Sequence, residues 1–192
     1  MADAPLLDHE LSADELDWVN GVYRDFSAAR ANFPGPAAEF NPRETLREIL
    51  GRAEHALPTP IDLSGNGIWR GGRNRHGRLV AGVFLKTVEL HKHEKSRTDQ
   101  FAMYVVGEAD AFSLADPAHP VLTPVTGGGH FHNPPGAPHA FLPKAGEPVG
   151  EDWEIAFIAI TPRNLKDDTQ MVSPETKAAY KQVAGREAPA GL

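Results

Sequence analysis

The chain has 192 residues, of which 41% are hydrophobic and 23% charged, and its formal net charge is −7. This length suits a single domain, and the absence of cysteine excludes disulfides, thiolate metal sites and a cysteine nucleophile. The acidic balance leaves no basic stripe for a phosphate backbone, which argues against nucleic acid as a partner. With 17 prolines and 18 glycines, the composition favours short strands and turns over long helices.

The N-terminal segment predicts helices rather than strands. It has neither a basic start followed by an apolar segment nor a stretch long enough to span a bilayer, so we expect a cytoplasmic protein. Ser12 and Glu15 form a capping box before a helix over 13–30, and Pro42 starts a second helix over 42–56. We expect residues 1–57 to be a helical extension that packs on the following domain; a dimer contact is the alternative.

From residue 58 the sequence changes to short apolar runs between turn residues, which is typical of an all-β domain. We predict a β-barrel domain over 58–165 and a polar tail over 166–192 that contains a short helix at 173–183. The strands are expected at 79–93, 100–106, 110–114, 121–125, 129–133, 139–142 and 153–161. The predicted fold class is therefore mainly β.

Two histidine clusters carry the chemistry. His91 and His93 are two residues apart on a predicted strand, so both side chains lie on one face. A Pro-x-Gly turn ending at Gly136 precedes His139 and aims a third imidazole by rigid backbone geometry. Imidazole suits iron, nickel, copper, zinc and manganese, so the spacing predicts one divalent transition metal held by these three histidines.

These motifs resemble those of the cupin superfamily. Gly128, five residues, Pro134, Gly136, two residues and His139 match the second cupin motif, while His91, His93 and the spacing from Gln100 to Gly107 match the first more loosely. The resemblance implies a double-stranded β-helix, or jelly-roll, barrel. It also implies that the glutamate usual in the first motif has become Gln100.

That substitution leaves the fourth ligand open. Gln100 is a fourth metal ligand or a substrate contact, and a neutral amide would leave the ion with more positive charge. Glu94 or Asp99 in the preceding loop is the alternative carboxylate ligand. Histidines that fill a barrel interior without metal are the structural alternative for the whole triad.

Four further residues are candidates for the same pocket. His132 is a proton donor or acceptor and Tyr104 a hydrogen-bonding catalytic residue; His130 is a substrate contact and Glu89 a carboxylate that orients a ligand imidazole. Each also has a structural alternative, which is a surface histidine, a buried tyrosine with a structural partner, or an ion pair at the barrel end.

The resemblance implies a mononuclear non-heme metal enzyme, with an Fe(II)-dependent dioxygenase that cleaves a small oxygen-chelating substrate as the first hypothesis. The alternatives are a lyase or isomerase that uses Zn, Ni or Mn, and a non-catalytic ligand-binding cupin. We expect a small-molecule substrate, no nucleic-acid or membrane partner, and a homodimer that buries exposed strand edges.

Overall fold

The structure is a computed structural model, and it describes residues 11–64, 68–85, 88–93, 99–105, 109–133, 136–143, 155–161 and 169–188. Its α-helices are α1 (Ala13–Ala31), α2 (Pro42–Leu50) and α3 (Pro174–Ala184). Its strands are β1 (Ile68–Arg73), β2 (Leu79–Leu85), β3 (Val88–His93), β4 (Asp99–Val105), β5 (Ala109–Ser113), β6 (Val121–Val125), β7 (His130–Asn133), β8 (His139–Pro143), β9 (Ile155–Thr161) and β10 (Thr169–Met171).

The helices begin where the sequence predicts them. Ser12 caps α1 in a complete capping box with Glu15, and Asn41 and Ser173 cap the two helices that begin with proline. The second helix is shorter than predicted because it ends at Gly51, after which a separate 3₁₀ turn covers Ala53–His55. None of the helices in the described ranges is long and apolar enough to cross a membrane.

The strands form two five-stranded antiparallel sheets. Sheet one has the order β1-β2-β9-β4-β7, and sheet two has the order β10-β3-β8-β5-β6. Strands β2 to β9 therefore wind between the sheets in the order of an eight-stranded jelly roll, which confirms the predicted fold class. Within the described residues no strand pairing joins the two sheets, so they face each other as two layers rather than closing into one barrel.

One predicted strand is in fact two. Residues 79–93 were expected to form a single strand, but β2 belongs to sheet one and β3 to sheet two. Residues 79–85 are apolar throughout and 88–93 alternate, and both patterns are compatible with one continuous strand across residues 86 and 87, which lie outside the described part. Periodicity alone could not show that the chain crosses between sheets there.

The helices cover the outer faces of the two sheets. The outer face of sheet one packs against α1 and α2 through a buried cluster that consists of Val19, Val22, Phe26, Leu46, Ile49, Leu50, Trp69, Val80, Ala156, Ile158 and Ile160. Helix α3 packs on sheet two through Tyr180, which contacts Phe112 edge to face at 5.1 Å between ring centroids. The inner faces of the two sheets meet at Phe141 and Phe157, 5.7 Å apart.

Polar residues join the start of α1 to the turn between β1 and β2. The Ser12 hydroxyl lies 2.7 Å from Asp14 Oδ1 and 3.1 Å from His76 Nε2, which is itself 3.1 Å from Asp14 Oδ2. Glu15 is buried and accepts hydrogen bonds from the Ser12 backbone and the Asn74 side chain. Because serine and aspartate approach the same nitrogen of His76, this group is a structural clamp and lacks the geometry of a catalytic triad.

Because of this clamp, the free energy of unfolding should depend on pH in the acidic range. Burial opposes ionisation of Asp14, but hydrogen bonds from Ser12, Arg75 and His76 outweigh it and hold the pKa of Asp14 well below its ordinary value. A lowered folded-state pKa stabilises the protein at pH values above the unfolded pKa, and that stabilisation is lost as the pH falls towards the folded value. We expect Asp14→Asn to lower the unfolding free energy by about 1 kcal/mol at neutral pH and by less at pH 3. Urea unfolding at both pH values measures this, and an equal loss at both would contradict it.

Candidate metal centre between the sheets

His139 is the best-defined residue of the predicted site. It lies at the start of β8 with no exposed surface, just after Gly136, whose φ of 71° suits only glycine without strain. Its Nδ1 lies 3.0 Å from the carbonyl oxygen of Ala137. Because a carbonyl only accepts, Nδ1 carries a proton, and in the neutral ring the buried Nε2 then carries the lone pair, which is the tautomer of a metal-ligating histidine.

His91 lies directly beside His139. The two residues pair across β3 and β8, and their ring centroids are 4.3 Å apart with the ring planes inclined at 54°. His93 follows two residues later on β3, which places position 93 on the same face as His91. The structure thus brings the first and third predicted ligands together and puts position 93 on their side of sheet two.

Aromatic residues line the interior next to the histidines. Phe141, two residues after His139 on β8, is fully buried, and its ring centroid is 6.4 Å from that of His139. It also contacts Phe131 of β7 at 5.2 Å and Phe157 of β9 at 5.7 Å. These contacts identify which face of β7 and β9 is turned towards the histidines.

The face of β4 that is turned towards the interior is the opposite of the one expected from the sequence. Gln100 pairs with Ile160 and Tyr104 with Ala156, and both partners belong to the cluster beneath α1 and α2. Paired residues of an antiparallel ladder lie on the same face, so positions 100 and 104 are on the helix-covered face of sheet one, although they were expected to face the barrel interior.

The two histidines of β7 follow the same register. His132 pairs with Gln100, and His130 pairs with Ala102, which is itself opposite Ile158. Their positions therefore alternate with Phe131, the residue of β7 that contacts Phe141. The catalytic role of His132 and Tyr104 and the substrate contact of His130 were deduced for an inward face, and no described contact tests them.

Asp99 lies on the other face of β4. It pairs with Asn133, while Phe101 pairs with Phe131 and Met103 with Phe157. Position 99 is therefore on the face turned towards His91 and His139. The signal was present in the sequence, because the bulky apolar residues of β4 are at 101, 103 and 105, and that stripe marks the inner face.

Two other candidates stay predictions. The pairing of β3 with β8 shifts register between Val88 and His91, so alternation from His91 does not fix the face of Glu89. Glu94 lies outside the described residues.

A second group of metal-type donors is found away from the sheets. Donor atoms of Asp25, Glu54 and His55 lie within 4.8 Å of one another. However, the buried His55 is 2.8 Å from Asp25 Oδ2, and Arg52 is 3.4 Å from the same oxygen. The hydrogen bond from His55 and the charges of Arg52 and Arg24 lower the pKa of Asp25, and those guanidinium groups oppose a cation here. We interpret this group as an anchor between α1 and the 3₁₀ turn at Ala53–His55.

Comparison with known proteins gives structural likeness alone. No protein-family model matches the chain, and no curated protein matches it. Among solved structures, an oxalate oxidase is 19% identical with a TM-score of 0.39, over 50% of this chain and 50% of its own. A cupin 2 conserved barrel domain protein from Rhodopseudomonas palustris is 12% identical with a TM-score of 0.44, over 63% and 78%. A DMSP lyase is 15% identical with a TM-score of 0.42, over 82% and 97%.

The chain spans about half the length of the oxalate oxidase structures that it matches. At these identities and TM-scores the likeness assigns no activity, so the fold assignment rests on the strand order of the two sheets. That order is the jelly roll found in cupins, and it confirms the resemblance to the cupin superfamily at the level of the fold.

Proposed function

We propose that this protein is a mononuclear metal enzyme that acts on a small oxygen-bearing organic molecule, with His91, His93 and His139 as ligands. The observation that carries the proposal is the contact between His91 and a fully buried His139 whose tautomer is set by the Ala137 carbonyl. Two adjacent imidazoles, one with its lone pair held on a buried nitrogen, form a donor set that suits a divalent transition metal.

The surrounding residues would orient the ligands and keep water out. The Ala137 carbonyl prevents the His139 ring from turning, so Nε2 keeps its lone pair towards the interior. The packed rings of Phe131, Phe141 and Phe157 lower the local dielectric, which strengthens polar contacts to a bound substrate. A bound metal would supply Lewis-acid activation and, if it is iron, redox chemistry.

We propose Asp99, rather than Gln100, as the protein's fourth ligand. Support comes from the register of β4. Position 99 lies on the inner face of that strand with positions 101 and 103, which pair with Phe131 and Phe157, whereas Gln100 pairs with Ile160. A carboxylate beside three imidazoles would offset part of the charge of a divalent ion, which a neutral amide cannot do.

The number of protein ligands separates two candidate activities. Three histidines alone would leave room at a bound metal for a chelating substrate and dioxygen, as an Fe(II) dioxygenase requires. A fourth ligand from Asp99 would leave room for a chelating substrate alone, which fits a lyase or isomerase using Zn, Ni or Mn. The histidine triad alone supports the dioxygenase, whereas the register of β4, through Asp99, favours the lyase or isomerase.

Metal analysis followed by an oxygen-uptake assay tests this proposal. Protein purified without a histidine tag should contain about one equivalent of a transition metal or take it up on reconstitution with Fe(II), Mn(II), Ni(II) or Zn(II). The Fe(II) form is then screened in an oxygen electrode against diketones and dihydroxyaromatic compounds. The Zn(II), Ni(II) and Mn(II) forms are screened anaerobically against hydroxy and keto acids by NMR.

Each result has a defined meaning. Oxygen uptake that depends on Fe(II) supports the dioxygenase, and anaerobic turnover supports the lyase or isomerase. A metal-loaded protein that turns over none of these compounds would favour a ligand-binding protein. Failure to bind any of the four metals would contradict the site itself.

A further inference from the structure

A tight turn connects the two sheets just before β7. Residues 126–129 join β6 of sheet two to β7 of sheet one, and the Gly129 amide donates to the Thr126 carbonyl at 2.9 Å. Gly128 has a φ of 83° at the third position of this turn, where a type II turn requires glycine. The turn therefore sets where β7 begins and at what angle it enters sheet one.

Tyr23 of α1 lies directly on this turn. A β-carbon added at Gly128 would lie 2.6 Å from Tyr23 Cε1 and 2.8 Å from Cζ, and one added at Gly127 would lie 3.2 Å from the Tyr23 hydroxyl oxygen. At Gly128 these separations leave no room for a side chain unless the ring moves, and at Gly127 they are tighter than ordinary contact, so the tyrosine ring packs against bare backbone. Gly128 is thus required twice, by its φ and by the ring above it.

The turn is linked to the candidate metal centre through β7. Phe131, two residues after Gly129, contacts Phe141, and Phe141 contacts His139. Asn133 at the end of the strand pairs with Asp99. A displacement of the turn would therefore move both the aromatic support of His139 and the strand that pairs with the proposed fourth ligand.

From these contacts we propose that Tyr23 is a positioning residue for the metal centre, acting through the turn at 126–129. This inference rests on the proposed function, since it assigns an N-terminal helix residue to the geometry of that site. It also gives α1 a specific task beyond covering sheet one, because the three atoms nearest a β-carbon added at Gly127, and the three nearest one at Gly128, all belong to Tyr23.

The test compares Tyr23→Ala with Phe26→Ala and Tyr23→Phe. Phe26 is the matched control because it lies on the same helix, is 4% exposed and contacts Phe40 at 5.8 Å instead of the turn. Co(II) affinity and the visible absorption of the Co(II) protein report the metal centre, and thermal unfolding of the metal-free protein reports stability. Histidine ring signals in NMR spectra of the metal-free protein report the site without any metal.

We expect Tyr23→Ala to weaken Co(II) binding on the order of tenfold, to change the Co(II) spectrum and to shift the signals of His139, with Tyr23→Phe close to wild type. Phe26→Ala should lower the unfolding temperature at least as much yet leave affinity and spectrum unchanged. Equal effects of the two alanine variants on affinity, or none from Tyr23→Ala, would overturn the inference. If wild type binds no Co(II), the proposed function fails, and an unchanged His139 signal in Tyr23→Ala would overturn the positioning role separately.

Discussion

Replacing His139 with alanine is expected to reduce the bound metal from about one equivalent to less than about a tenth. The proposed ligand that is lost is the one whose ring orientation the Ala137 carbonyl holds. Metal content after reconstitution measures the effect directly. A second measurement is thermal unfolding with and without metal, in which wild type should gain about 2.7 kcal/mol at a metal concentration a hundred times the Kd and the variant should gain nothing.

Two other histidines provide the controls for this experiment. His55→Ala removes a buried imidazole bonded to Asp25, and His119→Ala removes an exposed one bonded to Asp116. Both should keep the metal of wild type, and His55→Ala should lose stability because it leaves a cavity and removes the hydrogen bond between His55 and Asp25. Because His139 is buried, His91→Ala gives an independent variant at a less buried ligand. Metal loss in His55→Ala, with retention in His139→Ala and His91→Ala, would move the site to the Asp25 group.

Local sequence signals were enough to predict the elements that begin with a recognisable cap or turn. Ser12 with Glu15 predicted the start of α1, and the glycine at 136 predicted the turn before His139, because each feature depends on residues close in sequence. The division of residues 79–93 between two sheets has no such signal. It depends on strands β8 and β9, which lie far along the chain and pair with β3 and β2 respectively.

In the candidate site, too, some features were predicted from the sequence and others depend on strand pairing. The proximity of His91 and His139 results from the pairing of β3 with β8, and it was expected because a small β-barrel would bring the two histidine clusters together. The face of Gln100 was deduced from its spacing to Gly107, whereas the cross-strand partner Ile160 decides it. A shift of one residue moves every side chain of a strand to the opposite face, so spacing over a loop is a weak guide to the face on which a residue lies.

The contact of Tyr23 with Gly128 was beyond sequence reasoning for a related reason. Tyr23 fits the apolar stripe of α1, so the sequence indicated a core position without naming its partner. Gly128 was recognised only as the first residue of the second cupin motif. The close neighbour of Gly127 and Gly128 is the ring of a residue about a hundred positions earlier, which only packing reveals.

The second large effect is expected at Asp99. The conservative change Asp99→Asn keeps the size of the side chain and removes its charge. We expect metal affinity to fall by at least about tenfold, because the loss of a group that only hydrogen-bonds to a metal ligand already costs about that much. Gln100→Ala should change affinity by less than about twofold, because position 100 shares its face with Ile160 under the helices. Isothermal titration with Mn(II) and Zn(II) measures both variants, with thermal unfolding as the check on folding.

The opposite pattern, with loss of affinity in Gln100→Ala and none in Asp99→Asn, would contradict the observed register and return the site to three histidines with an amide. The two outcomes also bear on the reaction. A carboxylate ligand would leave room at the metal for a chelated substrate without dioxygen, so Asp99→Asn should then abolish anaerobic turnover. If neither residue is a ligand, the three histidines would leave room for dioxygen as well, and oxygen uptake by the Fe(II) form should persist in both variants. One pair of adjacent residues on β4 thus decides both the ligand set and the class of reaction.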